Sequence, residues 1–460
     1  SCSLYLKLEI EGGAGVRPHK NSINNYCYPE NPEAGIDLFL EKLVQETEKE
    51  HEDIREQADE TDAMFGELYS WYLRNPEYRS RVQKLVQSAF AGKPEDIISQ
   101  SVAKALYGEV SPYSATRLER FAACAFAHFL QYGMKLTERV EYEFKPMDMG
   151  NVMHEALESF AEEVRKRGMK WTELTEQERN EIADRCLDNI VADYGNTVLK
   201  SSARNEYMIE RTRRILRRTV WALQKQLEQG EFQPEGFEVT FGGGRIDRVD
   251  IMEDQNKVYV KVIDYKTGNT SFDLVYLYHG LQLQLMIYLD GALRVEQKKY
   301  PDKEIIPAGV FYYNIKDPMI QEKIDADVEA VSAGLMKELK MNGLVQADPE
   351  LVYRMDSSLG SIPVAFNKDG SFRKNSSVAD RTQFAVLGRY VRTKIEKIRS
   401  SILEGDAEVS PYELGKKNAC TYCPYMTVCG FDRRLSGYEF RRLKNFSDEE
   451  LWKAFDREAE

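Results

Sequence analysis

The sequence has no apolar run long enough to cross a bilayer, so no membrane-spanning segment is expected. Cysteine is scarce, at seven in 460 residues, which excludes a small secreted disulfide framework and predicts a reducing, cytoplasmic setting. The phosphate-binding motif G-x-x-x-x-G-K-[ST] is missing, so any ATP-driven motor must lie outside this sequence. A net charge of −13 excludes a uniformly basic nucleic-acid coat but leaves room for a local basic channel.

The length and the 42% hydrophobic content predict more than one domain with an ample core. We expect a helical N-terminal segment at 1–105, loop-like over its first 30 residues, then a large α/β domain at 106–435 and a tail at 436–460. Within the large domain, the patterns predict one helix from Ser114 through Phe129 that contains Cys124. They also predict a short strand at 140–144 and a single helix over 277–293.

The most informative stretch runs from residue 237 to residue 290. Three valines alternate with other residues at the spacing of a strand, at Val258, Val260 and Val262. Asp264 and Lys266 continue the valine face, because residues two apart in a strand point the same way. Asp247 shares one face of the preceding strand, so it is expected to meet Asp264 across a hairpin.

Two carboxylates and a lysine form a useful set for phosphodiester hydrolysis. Carboxylate oxygens suit Mg²⁺, with Mn²⁺ as an alternative, and the lysine can stabilise developing negative charge. The stretch resembles the PD-(D/E)xK nucleases, with Asp264-Tyr265-Lys266 as the D-x-K element and Asp247 as the other carboxylate. The alternative is a valine-rich strand that ends in a surface ion pair. GRIDRVD before the element and Gln284-x-x-x-Tyr288 after it favour the nuclease.

Three further side chains are candidates because of their neighbours. Gln284 and Tyr288 are four apart, share a helix face, and can contact DNA or the site lysine, although Gln284 is also compatible with a plain surface position. His154 lies near the edge of an apolar helix stripe, where a histidine is usually a packed residue. It is a candidate metal ligand together with Asp247 and Asp264.

An arginine-rich helical segment, ERTRRILRR, occupies residues 210–218. Spacings of three and four place several of these arginines on one side of the helix. Two interpretations stay open: a solvated face balanced by nearby carboxylates, or a face that contacts phosphate groups.

The segment KKNACTYCPYMTVCGFD contains Cys420-x₂-Cys423-x₅-Cys429. A zinc ribbon normally has two C-x₂-C pairs, and only one is present here. Three clustered cysteines plus one distant cysteine suit a [4Fe-4S] cluster with four thiolate ligands. Cys124 is the expected fourth ligand. Cys186, in a strongly charged helical stretch, is the competitor, and a plain buried thiol is the alternative for Cys124.

Several motifs occur together in a specific order: SATRLERFAACAFAHFLQYG, DMGNVMHEALE, GRIDRVD, VIDYKTG, LQLQLMIYL and SPYELGKKNACTYCPYMTVCGFD. In this combination, roughly residues 105–435 resemble the C-terminal nuclease region of the AddB family, one of the two components of bacterial AddAB helicase–nucleases. The resemblance implies a restriction-endonuclease-like α/β core, with a mixed sheet flanked by helices, and an iron–sulfur staple. It implies a DNA exonuclease that processes the 5′-ended strand at double-strand breaks for recombinational repair, with an AddA-type helicase–nuclease as partner.

Carried over by motif, the resemblance assigns catalytic roles to Asp247, Asp264 and Lys266, with support from His154 and Gln284. It assigns the cluster to Cys124, Cys420, Cys423 and Cys429. Ala125 departs from the proline that usually follows the first cysteine, which should affect helix entry and not ligation. Family members have a longer helicase-like N-terminal part, so we expect residues 1–105 to be the end of such a domain.

Two other interpretations remain at this point. One is a different nuclease with the same staple, such as a CRISPR-associated exonuclease or a eukaryotic replication helicase–nuclease. The other is a catalytically idle module that binds DNA ends. The full set of two carboxylates and a lysine argues against the idle module, since buried charge is costly to keep without a use.

Overall fold

The computed structural model describes the chain in segments separated by short gaps. These segments are residues 32–49, 60–89, 97–108, 114–137, 146–193, 202–242, 244–320, 327–435 and 437–459. The strand predicted at 140–144 and the loop predicted at 1–30 lie outside the described residues. No helix among the described residues has both the length and the apolar character needed to span a bilayer.

The chain forms two compact units. The first contains the residues up to Ile97 together with 408–411 and 423–441, and the second contains the rest. Three helices lie in the first unit: α1 (Pro32–Lys49), α2 (Glu60–Arg74) and α3 (Pro76–Ala89). Their apolar faces form a separate small core, which is lined by Ile36, Phe39, Leu43, Leu68, Trp71, Tyr72 and Val82. The three-part division predicted from the sequence remains a prediction.

The second unit is built on a six-stranded sheet. Its strands are β1 (Gln233–Phe241), β2 (Gly244–Glu253), β3 (Lys257–Lys266), β4 (Glu304–Asn314), β5 (Asn342–Gln346) and β6 (Val378–Ala379). They lie in sequence order, and β3 pairs with β4 and β5 with β6 in parallel, while the other pairs are antiparallel. The mixed sheet confirms the predicted fold class.

Strand β3 is the centre of this sheet. Its valines at 258, 260 and 262 are fully buried on one face, and Tyr259, Ile263 and Tyr265 are buried on the other. A strand covered on both faces needs helices on both sides of the sheet, which is the usual reason for a layered α/β arrangement.

Helices cover each face of the sheet. One face packs on α7 (Pro146–Lys166), α8 (Glu176–Asp193) and α9 (Ala203–Glu228). The other face packs on α4 (Gln100–Tyr107), α5 (Ala115–Ala123), α6 (Ala125–His128), α10 (Leu274–Tyr278), α11 (Gln284–Lys299), α14 (Arg381–Glu404) and α16 (Asp448–Ala459). The catalytic candidates on β2 and β3 therefore have helices above and below them.

The ends of the long helices carry the expected caps. Ser114, predicted as an N-cap, accepts a hydrogen bond from the Arg117 backbone N–H at 3.3 Å. Asp380 and Gln383 form a reciprocal capping box at the start of α14, and Gly405 ends that helix with a φ of 95°. A Cβ at Gly405 would lie 1.9 Å from the backbone oxygen of Ile98, so glycine is required there.

Shorter elements complete the description. They are the π-helical turn Phe129–Gly133, the 3₁₀ turn Trp171–Glu173, α12 (Val328–Glu338), α13 (Pro349–Met355), β7 (Tyr412–Leu414), β8 (Lys417–Asn418), α15 (Met426–Cys429) and β9 (Arg441–Arg442).

Candidate active site

Three carboxylates stand side by side across the sheet: Glu238 on β1, Asp247 on β2 and Asp264 on β3. The register of β1 and β2 places Glu238 opposite Asp247. Asp247 and Asp264 each lie one position beyond the last residue pair of β2 and β3. The strand registers therefore align all three side chains in one row, and this includes the predicted meeting of Asp247 with Asp264.

His154 reaches this row from α7. Its Nδ1 lies 3.4 Å from Asp247 Oδ2 and 3.7 Å from Glu238 Oε1. These three side chains offer ligand atoms that all lie within 4.8 Å of one another, which suits a single cation. Burial lowers the pKa of His154, but Asp247 and Glu238 outweigh it and raise that pKa to about 10. A cation that binds here must therefore displace a proton from His154.

Glu238 was not among the residues singled out from the sequence. Its backbone has a φ of 50°, in the left-handed region that few non-glycine residues adopt. Its side chain is nearly buried and also pairs with Arg245. The sequence places Glu238 on a strand, but only the register of β1 against β2 reveals that it faces Asp247.

Asp264 is almost fully buried beside Lys266. Its Oδ2 lies 2.6 Å from Lys266 Nζ, although no hydrogen bond of good geometry reaches that oxygen among the described residues. Burial, followed by the nearby charge of Asp247, raises the pKa of Asp264 to about 7, while Lys266 and His154 oppose the shift. A buried carboxylate oxygen without a hydrogen-bond donor fits a metal ligand. Asp264 is not part of the group of three within 4.8 Å.

Lys266 leads into a short chain of hydrogen bonds. Lys266 Nζ donates to Gln284 Oε1 at 2.8 Å, and Gln284 Nε2 donates to Tyr288 Oη at 2.8 Å. Burial raises the pKa of the Tyr288 hydroxyl, so Tyr288 stays neutral at physiological pH. The predicted contact between Gln284 and the site lysine is therefore present.

The single helix predicted over 277–293 is wrong, because the chain there forms two helices, α10 and α11, joined by a turn at Gly280. Gln284 is the first residue of α11. Its backbone N–H lies outside the helical hydrogen-bond ladder, and it donates to Glu119 on α5 at 3.0 Å. Glu119 was also missed, because the apolar stripe of its helix dominated the sequence pattern.

The prediction that Cys124 lies inside a helix is wrong. Cys124 stands at the break between α5 and α6, with extended backbone angles of φ −165° and ψ 118°, and it is buried. An alanine follows it, so the break is not caused by proline. Cys186 lies on α8, as expected, within the core beneath the sheet.

The other three cysteines are only half-buried. The Asn418 side-chain oxygen accepts hydrogen bonds from the backbone N–H groups of Cys420 and Thr421, at 2.9 Å and 3.0 Å. This interaction shapes the turn that carries Cys420. Cys429 is the last residue of α15, and Gly430 follows it in the left-handed region.

The arginine-rich face of α9 is matched by carboxylates. Arg213 lies 2.7 Å from Asp188, and Arg217 forms an ion pair with Asp184. Arg214 lies 2.6 Å from Asp317. These pairs favour the interpretation as a solvated face with balanced charge.

Comparison with known proteins agrees with the geometry. The family model described as the PD-(D/E)XK nuclease superfamily matches residues 112–430. A relative from Lachnoclostridium phytofermentans is 41% identical over 431 residues, which is 88% of this chain and 37% of that protein. Relatives from Thermoanaerobacter sp. and Alkaliphilus metalliredigens are 34% and 33% identical and cover 87% and 91% of this chain.

All three relatives are named as the B component of an ATP-dependent helicase/deoxyribonuclease, which confirms the resemblance predicted from the motifs. The chain spans 37–38% of the length of these relatives. The family match covers more than half of the chain and includes the row of carboxylates and Lys266. The chain belongs to the PD-(D/E)XK nuclease superfamily.

Proposed function

We propose that this chain is a divalent-metal-dependent DNA nuclease that processes double-strand ends, acting on the 5′-ended strand. One observation carries the proposal: the row of Glu238, Asp247 and Asp264, with Lys266 2.6 Å from Asp264. Carboxylates clustered in a partly dry site attract a hard cation, and a lysine beside them can meet a phosphate group.

The residues present fit Mg²⁺ or Mn²⁺. His154, Glu238 and Asp247 offer three ligand atoms within 4.8 Å, and Asp264 offers a buried oxygen. When bound, the cation would neutralise charge on the scissile phosphate and lower the pKa of a coordinated water.

The side chains of the protein have separate tasks in this reaction. Asp247 is held by the Tyr265 backbone N–H, so its second oxygen stays available for the cation. Lys266 is held by Gln284 and Asp264, and it is placed to stabilise negative charge that grows on the phosphate in the transition state. Tyr288 anchors the far end of Gln284 and thereby restricts the rotamers of the lysine's partner.

A second part of the proposal concerns the cysteines. We propose that Cys124, Cys420, Cys423 and Cys429 bind one [4Fe-4S] cluster with a structural role. Four thiols suit that cluster, and Cys124 interrupts a helix, as a residue held by something other than helical packing would. Hydrolysis needs no electron transfer, so a redox role has no chemical motive.

The names of the relatives support a wider setting, in which the chain works with a helicase–nuclease partner of AddA type in the cytoplasm. The motor would come from outside this sequence, which has no G-x-x-x-x-G-K-[ST] motif.

A nuclease assay with Mg²⁺ on linear duplex and single-stranded DNA tests the proposal. We expect wild-type protein to degrade 5′-ended strands, and Asp264→Ala to lose cleavage at least about 100-fold while it still folds. Asp290→Ala is the matched control, because Asp290 forms surface ion pairs with Arg294 and Arg392. Equal rates for wild type and Asp264→Ala would reject the assignment. DNA binding without cleavage by the wild type would favour the idle end-binding module.

A further inference from the structure

Glu119 on α5 makes two contacts with the first turn of α11. Its Oε1 accepts hydrogen bonds from the backbone N–H groups of Leu283 and Gln284, at 2.7 Å and 3.0 Å. Leu283 is the N-cap residue of α11 and cannot cap the helix with its own side chain. The first N–H groups of a helix have no partner within the helix, and a negative charge there is favourable. Glu119 therefore caps α11 from another helix.

Gln284, the residue that Glu119 holds by its backbone, also holds the catalytic lysine by its side chain. Gln284 Oε1 accepts from Lys266 Nζ at 2.8 Å. A shift of the first turn of α11 would move that amide oxygen with it. The hydrogen bonds thus form a continuous path from Glu119, through the backbone and side chain of Gln284, to Lys266.

We propose that Glu119 is a positioning residue, which fixes the start of α11 so that Gln284 holds Lys266 in its working place. The proposal rests on the proposed nuclease function of Lys266. It assigns to Glu119 no contact with substrate or cation. Because α5 ends at Cys124, whatever anchors Cys124 also anchors Glu119, so α5 connects the cysteine to the lysine.

The contact near Glu119 is electrostatically active as well as structural. Burial raises the pKa of Glu119 to about 7, although the two backbone N–H groups and the charge of Lys266 oppose the shift. The charge of Glu119 is thus felt at Lys266, and its loss would change the field there as well as the helix cap.

Glu119→Gln in the intact protein is the main test, since it keeps the size of the side chain but removes its charge. The matched control is Glu296→Gln, at a buried glutamate on the same helix α11 that pairs with Lys299 at 2.8 Å. We expect Glu119→Gln to lower kcat about 10- to 100-fold, the scale of a small misplacement of a catalytic group, while KM for a single-stranded oligonucleotide stays within about twofold. Glu296→Gln should keep the wild-type kcat.

Two further measurements separate positioning from general stability. Hydrogen exchange followed by mass spectrometry should show faster exchange at Leu283 and Gln284 in Glu119→Gln and unchanged exchange there in Glu296→Gln. The double variant Glu119→Gln/Gln284→Ala should be no slower than Gln284→Ala alone, because both act through the same hydrogen-bond path. If Glu119→Gln cannot be purified, Glu119→Asp retracts the carboxylate by one methylene and should lower kcat in the same direction.

The outcomes are distinguishable. An inactive wild-type protein would reject the proposed nuclease, while the exchange measurement would still report on the helix cap. An active wild type with unchanged kcat in Glu119→Gln would overturn the positioning role. Additive losses in the double variant would overturn it too, since they would mean that Glu119 acts independently of Gln284.

Discussion

Oδ2 of Asp247 accepts a hydrogen bond of 2.7 Å from the backbone N–H of Tyr265. Tyr265 lies between Asp264 and Lys266, so the strand that carries these two residues also orients the carboxylate on its neighbour. A backbone donor cannot rotate away as a side chain can. The position of Asp247 is therefore set by the sheet before any cation or DNA binds.

Lys266→Ala should reduce turnover far more than DNA binding. Lys266 is placed to act on charge that grows in the transition state, and removal of one such group costs about 3 kcal/mol, or roughly 100-fold in kcat. Single-turnover cleavage and fluorescence anisotropy with the same oligonucleotide give the two quantities. Lys303→Ala serves as control, because Lys303 pairs with Glu253 at the surface. Equal losses of affinity and rate would instead make Lys266 a simple phosphate contact.

The apparent affinity for Mg²⁺ should rise with pH between about 6 and 9. Asp264, with its pKa raised to about 7, must lose its proton to bind a cation, and so must His154, whose pKa is raised to about 10. Protons thus compete with the metal at low pH. Isothermal titration calorimetry in two buffers of different ionisation enthalpy measures proton release. His154→Ala should release fewer protons, and an unchanged number would remove His154 from the ligand set.

Asp250→Ala should destabilise the fold by about 3–5 kcal/mol, the scale expected when one partner of a buried ion pair is removed. Asp250 is fully buried, and it holds two buried cations, with Arg248 Nε at 2.5 Å and Lys261 Nζ at 3.0 Å. Both positive charges would lose their counter-charge. Urea denaturation followed by circular dichroism measures the loss. Glu253→Ala, at the exposed end of the same strand, should change stability by less than about 1 kcal/mol. Similar values for the two variants would contradict the prediction.

Alanine at any one of Cys124, Cys420, Cys423 or Cys429 should lower the iron content and the Tm of anaerobically purified protein. Each change removes one of four proposed thiolate ligands. Cys186→Ala is the control, because the Cys186 thiol is buried in the core and its pKa is raised to about 11 by burial, which disfavours the thiolate that iron needs. Iron and sulfide analysis of the five variants decides the matter. Full iron in Cys124→Ala, or zinc in place of iron in the wild type, would overturn the assignment.

The sequence by itself determined the central part of the sheet and its chemistry. The valine alternation before Asp264 and Lys266 is a property of consecutive residues, so the strand and the direction of both side chains follow from local periodicity. The pairing of Asp247 with Asp264 follows from a short hairpin, which also depends on residues close in the chain. Gln284 and Tyr288 share a helix face by their spacing alone.

Only the tertiary structure decided which distant side chains complete the site. Glu238 joins His154 and Asp247 because of the register between two strands and the packing of α7, neither of which has a periodic signature. Glu119 reaches α11 across more than 160 positions of sequence, from a helix whose pattern reports only its apolar face. Local patterns predict which way a side chain points, whereas the partner it meets depends on how separate elements pack, which is a property of the whole chain.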